Sequence, residues 1–409
     1  MALANENYFN IQEIYYSNEI EKRVNAYKLL HPAADIIRLT TADVTHPLPK
    51  EAIKAIKKAA DEMGVAGTFR GYSPAKGYDF LIEKIVKDYR TIGITIDKEC
   101  VFINSGAKPD LGNIGHILGI DNITAVAEPV CPMYENSIII SGRGGYVTKD
   151  NKWSNIVYIP CDSTDDFAPN IPQERVDVVY LCNPNNPTGT VITKSKLKEW
   201  VDYAIRHQSI IVYDCAYQGF LSSPDVPKSI YEIKGAKRVA VEIHSYSKCA
   251  GFTGLRCGYS VFPAELQVYA KTGEKIALLD LWTKRNANYT NGVPYIIQRA
   301  AEALYSKKGQ REVDETVSQI LSNAALIKET LTSRGLKVWG GVDSPYVWLK
   351  VPGRQSSWKF FTHLLYESQV VGIPGNVFGT SGEGYMRLTG FATPDDTQAA
   401  VDRLQKVKL

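Results

Sequence analysis

Lys248 ends the run Ser245-Tyr246-Ser247-Lys248, and Gly251, Gly254 and Arg256 follow it closely. A lysine displaced from its ordinary pKa by burial and nearby charge can act as a nucleophile toward an aldehyde and as a base. The neighbours suit an anionic group: two serine hydroxyls and a guanidinium with a planar fork of donors, joined by glycines that permit a tight turn. A surface lysine beside a glycine turn is the plain alternative, since a short motif needs its context.

Further segments upstream supply that context, each closing an apolar run of strand character. Ser105-Gly106-Ala107-Lys108 follows Val101-Phe102-Ile103 and precedes a helical pattern through Leu111, Ile114 and Leu118. Such a strand, small-residue turn and helix start exposes backbone N–H groups to a phosphate. Asn183-Pro184-Asn185-Asn186-Pro187-Thr188-Gly189 follows Val178-Val179-Tyr180-Leu181, and Asn186 can donate to a ring oxygen; a proline-rich turn is the alternative. Asp214 closes Ile210-Ile211-Val212-Tyr213. A carboxylate there can pair with a protonated pyridine nitrogen and keep the ring electron-withdrawing, or it can simply cap a helix. Tyr217 can reach the ring oxygen from the other side.

Together these residues resemble the fold type I pyridoxal-phosphate enzymes, and most of all the LL-diaminopimelate aminotransferases within the class I and II aminotransferase family. The resemblance runs from Asp43-Val44-Thr45 through Phe69-Arg70-Gly71-Tyr72 and Pro345-Tyr346-Val347-Trp348 to Pro374-Gly375 and Gly382-Glu383-Gly384-Tyr385-Met386-Arg387. It implies that Lys248 carries pyridoxal 5'-phosphate, that Asp214 holds the pyridine nitrogen, and that Asn186 and Tyr217 hold the ring oxygen. Ala107, Lys108, Ser245, Ser247 and Arg256 then bind phosphate, with Tyr72 arriving from a partner subunit. Arg387 grips the substrate α-carboxylate and Asn291 crosses the interface of a homodimer with shared sites.

The departures lie around the substrate. Cys131, in Glu128-Pro129-Val130-Cys131-Pro132-Met133-Tyr134, stands where the family stacks an aromatic on the ring, and a thiol cannot stack. Thr40, Thr41 and Ala42 occupy the place of a glycine-containing stretch near the substrate. Ser73 and Ala75 stand where the family continues with a glycine and then a glutamate that binds the distal ammonium of diaminopimelate. Losing that carboxylate leaves a buried substrate charge unpaired, which is costly. These changes point first to a diverged enzyme that acts on a polar, basic amino acid by elimination, replacement or cyclisation, as a cyclodehydratase of a hydroxyarginine-type substrate does. Transamination of LL-diaminopimelate or another amino acid with 2-oxoglutarate is the alternative, and a non-catalytic regulatory protein on the same fold is a third.

The implied fold is α/β, a mostly parallel sheet covered by helices in a large domain over 48–295. A smaller α+β domain, built from 1–47 and 296–409, closes over the substrate. Leu197, Trp200, Val201, Ala204 and Ile205 recur at helical spacing between Asn186 and Asp214, and ligand-binding loops of such sheets gather at the carboxyl ends of the strands. Beyond Tyr295 a long helical pattern runs through Val313, Val317, Ile320, Leu321, Ala324 and Ile327, then short strands around Leu336-Val338 and Tyr346-Leu349. Tyr8, Phe9, Tyr15 and Tyr16 are candidates to line the entrance, or to pack on the surface. His46 is a candidate substrate neighbour, and His244 a strand cap.

Composition is compatible with all of this. A net charge of +3 across 409 residues, with charges interspersed, offers no nucleic-acid footprint. Seven cysteines in no metal-ligand spacing read as free thiols of a reducing, cytoplasmic compartment. Neither a targeting segment nor a membrane span is evident.

Overall fold

In the computed structural model, the structure describes residues 2–11, 15–40 and 43–408. Helix α1 (Tyr15–Leu30) and strand β1 (Ile37–Arg38) lead into α2 (Lys50–Met63) and α3 (Asp79–Thr91). The central part then runs β2 (Val101–Asn104), α4 (Ala107–Asn113), β3 (Thr124–Glu128), α5 (Met133–Ile140), β4 (Ile156–Pro160), β5 (Val178–Cys182), α6 (Lys194–His207), β6 (Ile210–Asp214), β7 (Ala240–Ser245) and β8 (Gly258–Val261). A hairpin of β9 (Gln267–Tyr269) and β10 (Lys275–Ala277) precedes α7 (Leu278–Tyr289), α8 (Tyr295–Ala303) and the long α9 (Lys307–Ser333). The chain ends with β11 (Val338–Gly340), β12 (Tyr346–Lys350), α10 (Ser357–Ser368), β13 (Val370–Val371), β14 (Ile373–Pro374), β15 (Tyr385–Thr389) and α11 (Pro394–Lys406).

Seven strands form the main sheet in the order β2-β8-β7-β6-β5-β3-β4. All neighbours are parallel except β8, which is antiparallel to both β2 and β7. Strands β3, β5 and β6 are buried along their whole length, as expected where helices cover both faces. Helix α6 shows how the covering helices are made. Thr193 caps its start by accepting from the Lys196 N–H, and Leu197, Trp200, Val201, Tyr203 and Ala204 form the buried stripe. Ile205, expected on that stripe, is only partly buried. The register sets Cys182 beside Asp214 and Asp214 beside Ile243, so the strand ends that carry chemistry lie level.

A four-stranded antiparallel sheet, β11-β12-β15-β14, carries Arg387 on β15 opposite Trp348 on β12. The amino-terminal segment docks there: β1 pairs with β13, Arg23 donates to Thr362, and Arg403 binds Asp35. Tyr8 and Phe9 are exposed and the side chains of Tyr15 and Tyr16 fall outside those described. His244 is no strand cap. It is buried beside Glu242, a fully buried carboxylate whose oxygens meet Tyr89 Oη, Ser229 Oγ, the Ile230 N–H and His244 Nε2. Four partners satisfy a charge that would otherwise be costly at that depth. All seven cysteines are free thiols, and no described helix is long and apolar enough to cross a membrane.

Candidate active site

A cavity of about 490 Å³ opens at the carboxyl ends of β5, β6 and β7, and Lys248, Asp214, Asn186, Tyr217, Cys131 and Arg387 all line it. Ala107, Lys108, Ser245, Ser247 and Arg256 line it as well. Residues from segments spread between 107 and 387 are thus brought to one place by strand register and by the return of β15.

Lys248 follows β7 on a short loop. Burial lowers its pKa from the ordinary 10.5 to about 8; Asp43, also on the cavity wall, pulls it back up, and Arg387 and Arg256 push it down. About one amine in ten is therefore neutral near pH 7 and about half near pH 8, far more than for an ordinary lysine, and the neutral form is the one that attacks a carbonyl and accepts a proton.

Asp214 ends β6 and is buried. Its carboxylate accepts Tyr134 Oη at 2.5 Å and the Ala216 N–H at 2.9 Å, while burial raises its pKa against those bonds. A buried carboxylate with two neutral donors and no ion pair among the described residues can hold a protonated ring nitrogen. Tyr134 had no role assigned from sequence, although it lies three residues after Cys131 in the same run.

The anion end is assembled from two loops. Ser245 Oγ and Ser247 Oγ lie 2.8 Å apart, and Arg256 Nη1 donates to Ser247 Oγ at 3.2 Å. Arg256 itself adopts φ 63°, uncommon for a residue with a side chain. Gly106 precedes α4 at φ 90°, and a Cβ there would stand 2.6 Å from Arg256 Nη2. Only glycine lets the guanidinium lie against the turn that leads to Ala107 and Lys108. Hydroxyls, a guanidinium and N–H groups in one cradle fit a phosphate, and with Lys248 and Asp214 at the other end the cavity fits a phosphorylated pyridine aldehyde.

Arg387 lies above the middle, only 3% exposed. Its Nη1 donates to Asn186 Oδ1 at 2.7 Å and its Nη2 to the Thr40 carbonyl at 3.0 Å, while Nε is buried with no partner among the described residues. A buried N–H without an acceptor is costly, and a substrate carboxylate would satisfy it. Thr40 thus meets the site through its backbone carbonyl. Asn186 Nδ2 in turn reaches Tyr217 Oη at 3.3 Å.

Other expected residues fall elsewhere. Tyr72 is 88% exposed and Asn291 is exposed, and neither lines the cavity of the single chain. Thr41 and Ala42 lie outside the described residues. His46 is not on the cavity wall; its Nε2 is buried without a described partner. Cys131 is on the wall, and burial pushes its thiol pKa up, so it stays protonated. Ser73 packs near Gly292 and the Ala75 carbonyl accepts from Asn286, so this loop is tied to the end of α7.

Comparison with known proteins agrees with this geometry. The family model described as aminotransferase class I and II matches residues 34–404. The LL-diaminopimelate aminotransferase of Bacteroides fragilis (strain YCH46) is 51% identical over 407 residues, covering 99% of each chain. The one from Methanosphaera stadtmanae is 49% identical over 405 residues, covering 99% of this chain and 98% of that protein. Among solved structures, the L,L-diaminopimelate aminotransferase from Chlamydomonas reinhardtii superposes with a TM-score of 0.91 at 33% identity, covering 99% of this chain and 98% of the other. The aspartate aminotransferase of Thermus thermophilus with maleate, at 20% identity and a TM-score of 0.82 over the full length of both chains, shares the fold.

Proposed function

The chain belongs to the class I and II aminotransferases and is a pyridoxal-phosphate-dependent enzyme, and we propose that it moves the amino group of LL-diaminopimelate, or of an amino acid close to it, onto 2-oxoglutarate. The observation that carries this reading is the 51% identity along 99% of the chain with a protein named for that activity. The cyclodehydratase, elimination and replacement readings have no such support. What favours them is the set of departures at Thr40, Thr41, Ala42, Ser73, Ala75 and Cys131.

When bound, pyridoxal phosphate supplies an electron-withdrawing ring for chemistry at the substrate α-carbon. Asp214, steadied by Tyr134, keeps the proton on the ring nitrogen. Asn186 and Tyr217 face the ring oxygen, and Ala107, Lys108, Ser245, Ser247 and Arg256 hold the phosphate. Arg387 receives the substrate α-carboxylate through its free Nε and its fork, which orients the α-C–H bond toward Lys248 Nζ. With the cofactor bound, the Lys248 amine would be the group placed to take the α-proton and return it, and its depressed pKa suits both halves of the exchange. The exposed Tyr72 and Asn291 complete the cavity of a second copy in a homodimer. The parts 1–47 and 296–409 form the small domain, whose closure brings Arg387 down and excludes water. Free thiols throughout are in keeping with a cytoplasmic setting.

The test is to give purified holoenzyme LL-diaminopimelate and a panel of basic amino acids, with and without 2-oxoglutarate. Glutamate formed only when both are present is the expected result. Loss of water from a substrate without any acceptor would replace this reading with cyclodehydration, and no glutamate from any amino acid would refute it.

A further inference from the structure

Tyr346 begins β12, is fully buried, and touches two parts of the site at once. Its Oη lies 2.6 Å from Tyr217 Oη, with the two rings edge to face at 5.1 Å. The Arg387 guanidinium carbon sits 4.5 Å over the Tyr346 ring centroid, with Phe378 on another side at 5.0 Å. One side chain therefore bridges the tyrosine facing the ring oxygen and the arginine facing the carboxylate.

The protons in this network can be ordered. Arginine has no acceptor, so Arg387 Nη1 must donate to Asn186 Oδ1. That fixes the Asn186 amide, whose Nδ2 must donate to Tyr217 Oη. Two hydroxyls at 2.6 Å share one proton between them. If Tyr217 gives its proton to Tyr346, none remains for a ligand oxygen; if Tyr346 donates, the Tyr217 proton is free. Of the two, Tyr217 lines the cavity and Tyr346 does not, and the Arg387 cation lies 4.5 Å over the Tyr346 ring, which makes the Tyr346 hydroxyl the readier donor.

We propose that Tyr346 is a positioning residue of the reaction: by donating to Tyr217 it turns the Tyr217 proton toward the cofactor ring oxygen, and its ring face bears Arg387 at the height of the substrate carboxylate. The proposal rests on the pyridoxal-phosphate reading of the cavity. Neighbouring hydrogen bonds polarise one another, so Tyr217 donates more strongly while it accepts from Tyr346. A strong donor on the ring oxygen draws off charge and eases loss of the proton shared with the Lys248 nitrogen.

The experiment titrates the visible absorbance of the loaded holoenzyme with pH for the unaltered protein, Tyr346→Phe, Tyr217→Phe and the double variant. Tyr346→Phe keeps the ring and loses the donor, and should raise the midpoint by about half a pH unit, less than Tyr217→Phe does. The double variant should match Tyr217→Phe alone, because Tyr346 acts through Tyr217. Tyr346→Leu should also raise the amino-acid KM about 5- to 30-fold, which Tyr346→Phe should not, since a desolvated cation–π contact is worth about 1–2 kcal/mol. Damage to the fold would lower kcat and the thermal midpoint instead. A Tyr346→Phe midpoint equal to that of the unaltered protein, or a shift that persists in the Tyr217→Phe background, overturns the proposal. If the unaltered protein shows no visible absorbance after loading, the cofactor reading falls and takes this inference with it.

Discussion

Replacing Lys248 by Met should stabilise the cofactor-free protein at neutral pH. In the fold the amine is held at about 8 against 10.5 when free, chiefly by burial. Below about pH 8 both folded and unfolded chains carry the proton, and the fold bears the whole cost of a cation it would rather release. At about 1.4 kcal/mol per pKa unit that cost is about 3 kcal/mol, and solvent reaching a partly exposed side chain trims it to about 2–3 kcal/mol. Between about pH 8 and 10.5 the unfolded chain holds more protons than the folded one, so stability rises with pH until the cost vanishes. Met has similar reach, adapts to its surroundings and bears no charge. Urea unfolding of both proteins, followed by tryptophan fluorescence at about pH 7 and about pH 10, reads the difference directly. Met should be the more stable by about 2–3 kcal/mol at the lower pH and nearly equal at the higher. A difference that ignores pH, or a Met variant that is weaker at neutral pH, would refute the argument that burial has tuned this amine.

Arg387→Lys keeps the charge but loses the fork that spans Asn186, Thr40 and the substrate. Steady-state kinetics should show kcat/KM down about 30- to 150-fold with most of the change in KM, as loss of about 2–3 kcal/mol of charge-assisted bonding requires. Asp214→Asn should leave the phosphate cradle intact, so the cofactor stays bound by absorbance and dialysis, yet lower kcat about 10²- to 10³-fold because the ring nitrogen loses its counter-charge. Gly189 adopts φ 67°, and a Cβ there would meet the Tyr346 carbonyl oxygen at 2.3 Å. Gly189→Ala should cost at least about 2 kcal/mol in urea unfolding, since neither backbone can give way easily.

Much of the site was legible because its residues sit where strands must end. Asp214 and the Asn183–Gly189 segment each follow an apolar run of strand character, so the strand ends at β5 and β6 followed from periodicity and α/β topology. The antiparallel placement of β8 did not, because Gly258–Val261 is buried like the parallel strands and only the pairing sets its direction. Tyr134 and Tyr346 were equally hidden. Their roles depend on a distance across the fold, 2.5 Å to Asp214 and 2.6 Å to Tyr217, and an aromatic in an apolar run reads as core until that partner is known. Thr40, expected near the substrate, meets Arg387 through its carbonyl, a contact that sequence does not carry. Tyr72 and Asn291 are exposed in the single chain, away from the cavity wall, a placement that sequence does not give.

The departures at Cys131, Ser73 and Ala75 suggested a change of reaction, and the structure gives a physical reason to separate substrate from reaction instead. The proton-handling parts are untouched: Lys248 is still depressed, Asp214 is still buried beside Tyr134, and Arg387 is still locked to Asn186. Cys131 adds no competing nucleophile, because burial keeps its thiol protonated. What it removes is stacking area, a loss of affinity rather than a new route for protons. Ser73 and Ala75 lie on the loop tied to Asn286 and Gly292, away from the cavity wall that one chain builds. Elimination or cyclisation also requires a leaving group on the substrate, which no residue of the enzyme can supply. With the same acid, base and carboxylate grip, a substrate that lacks such a group is left with exchange of its amino group. On the proposed reading, the altered positions bear on which amino acid enters, and the chemistry at its α-carbon is that of the family.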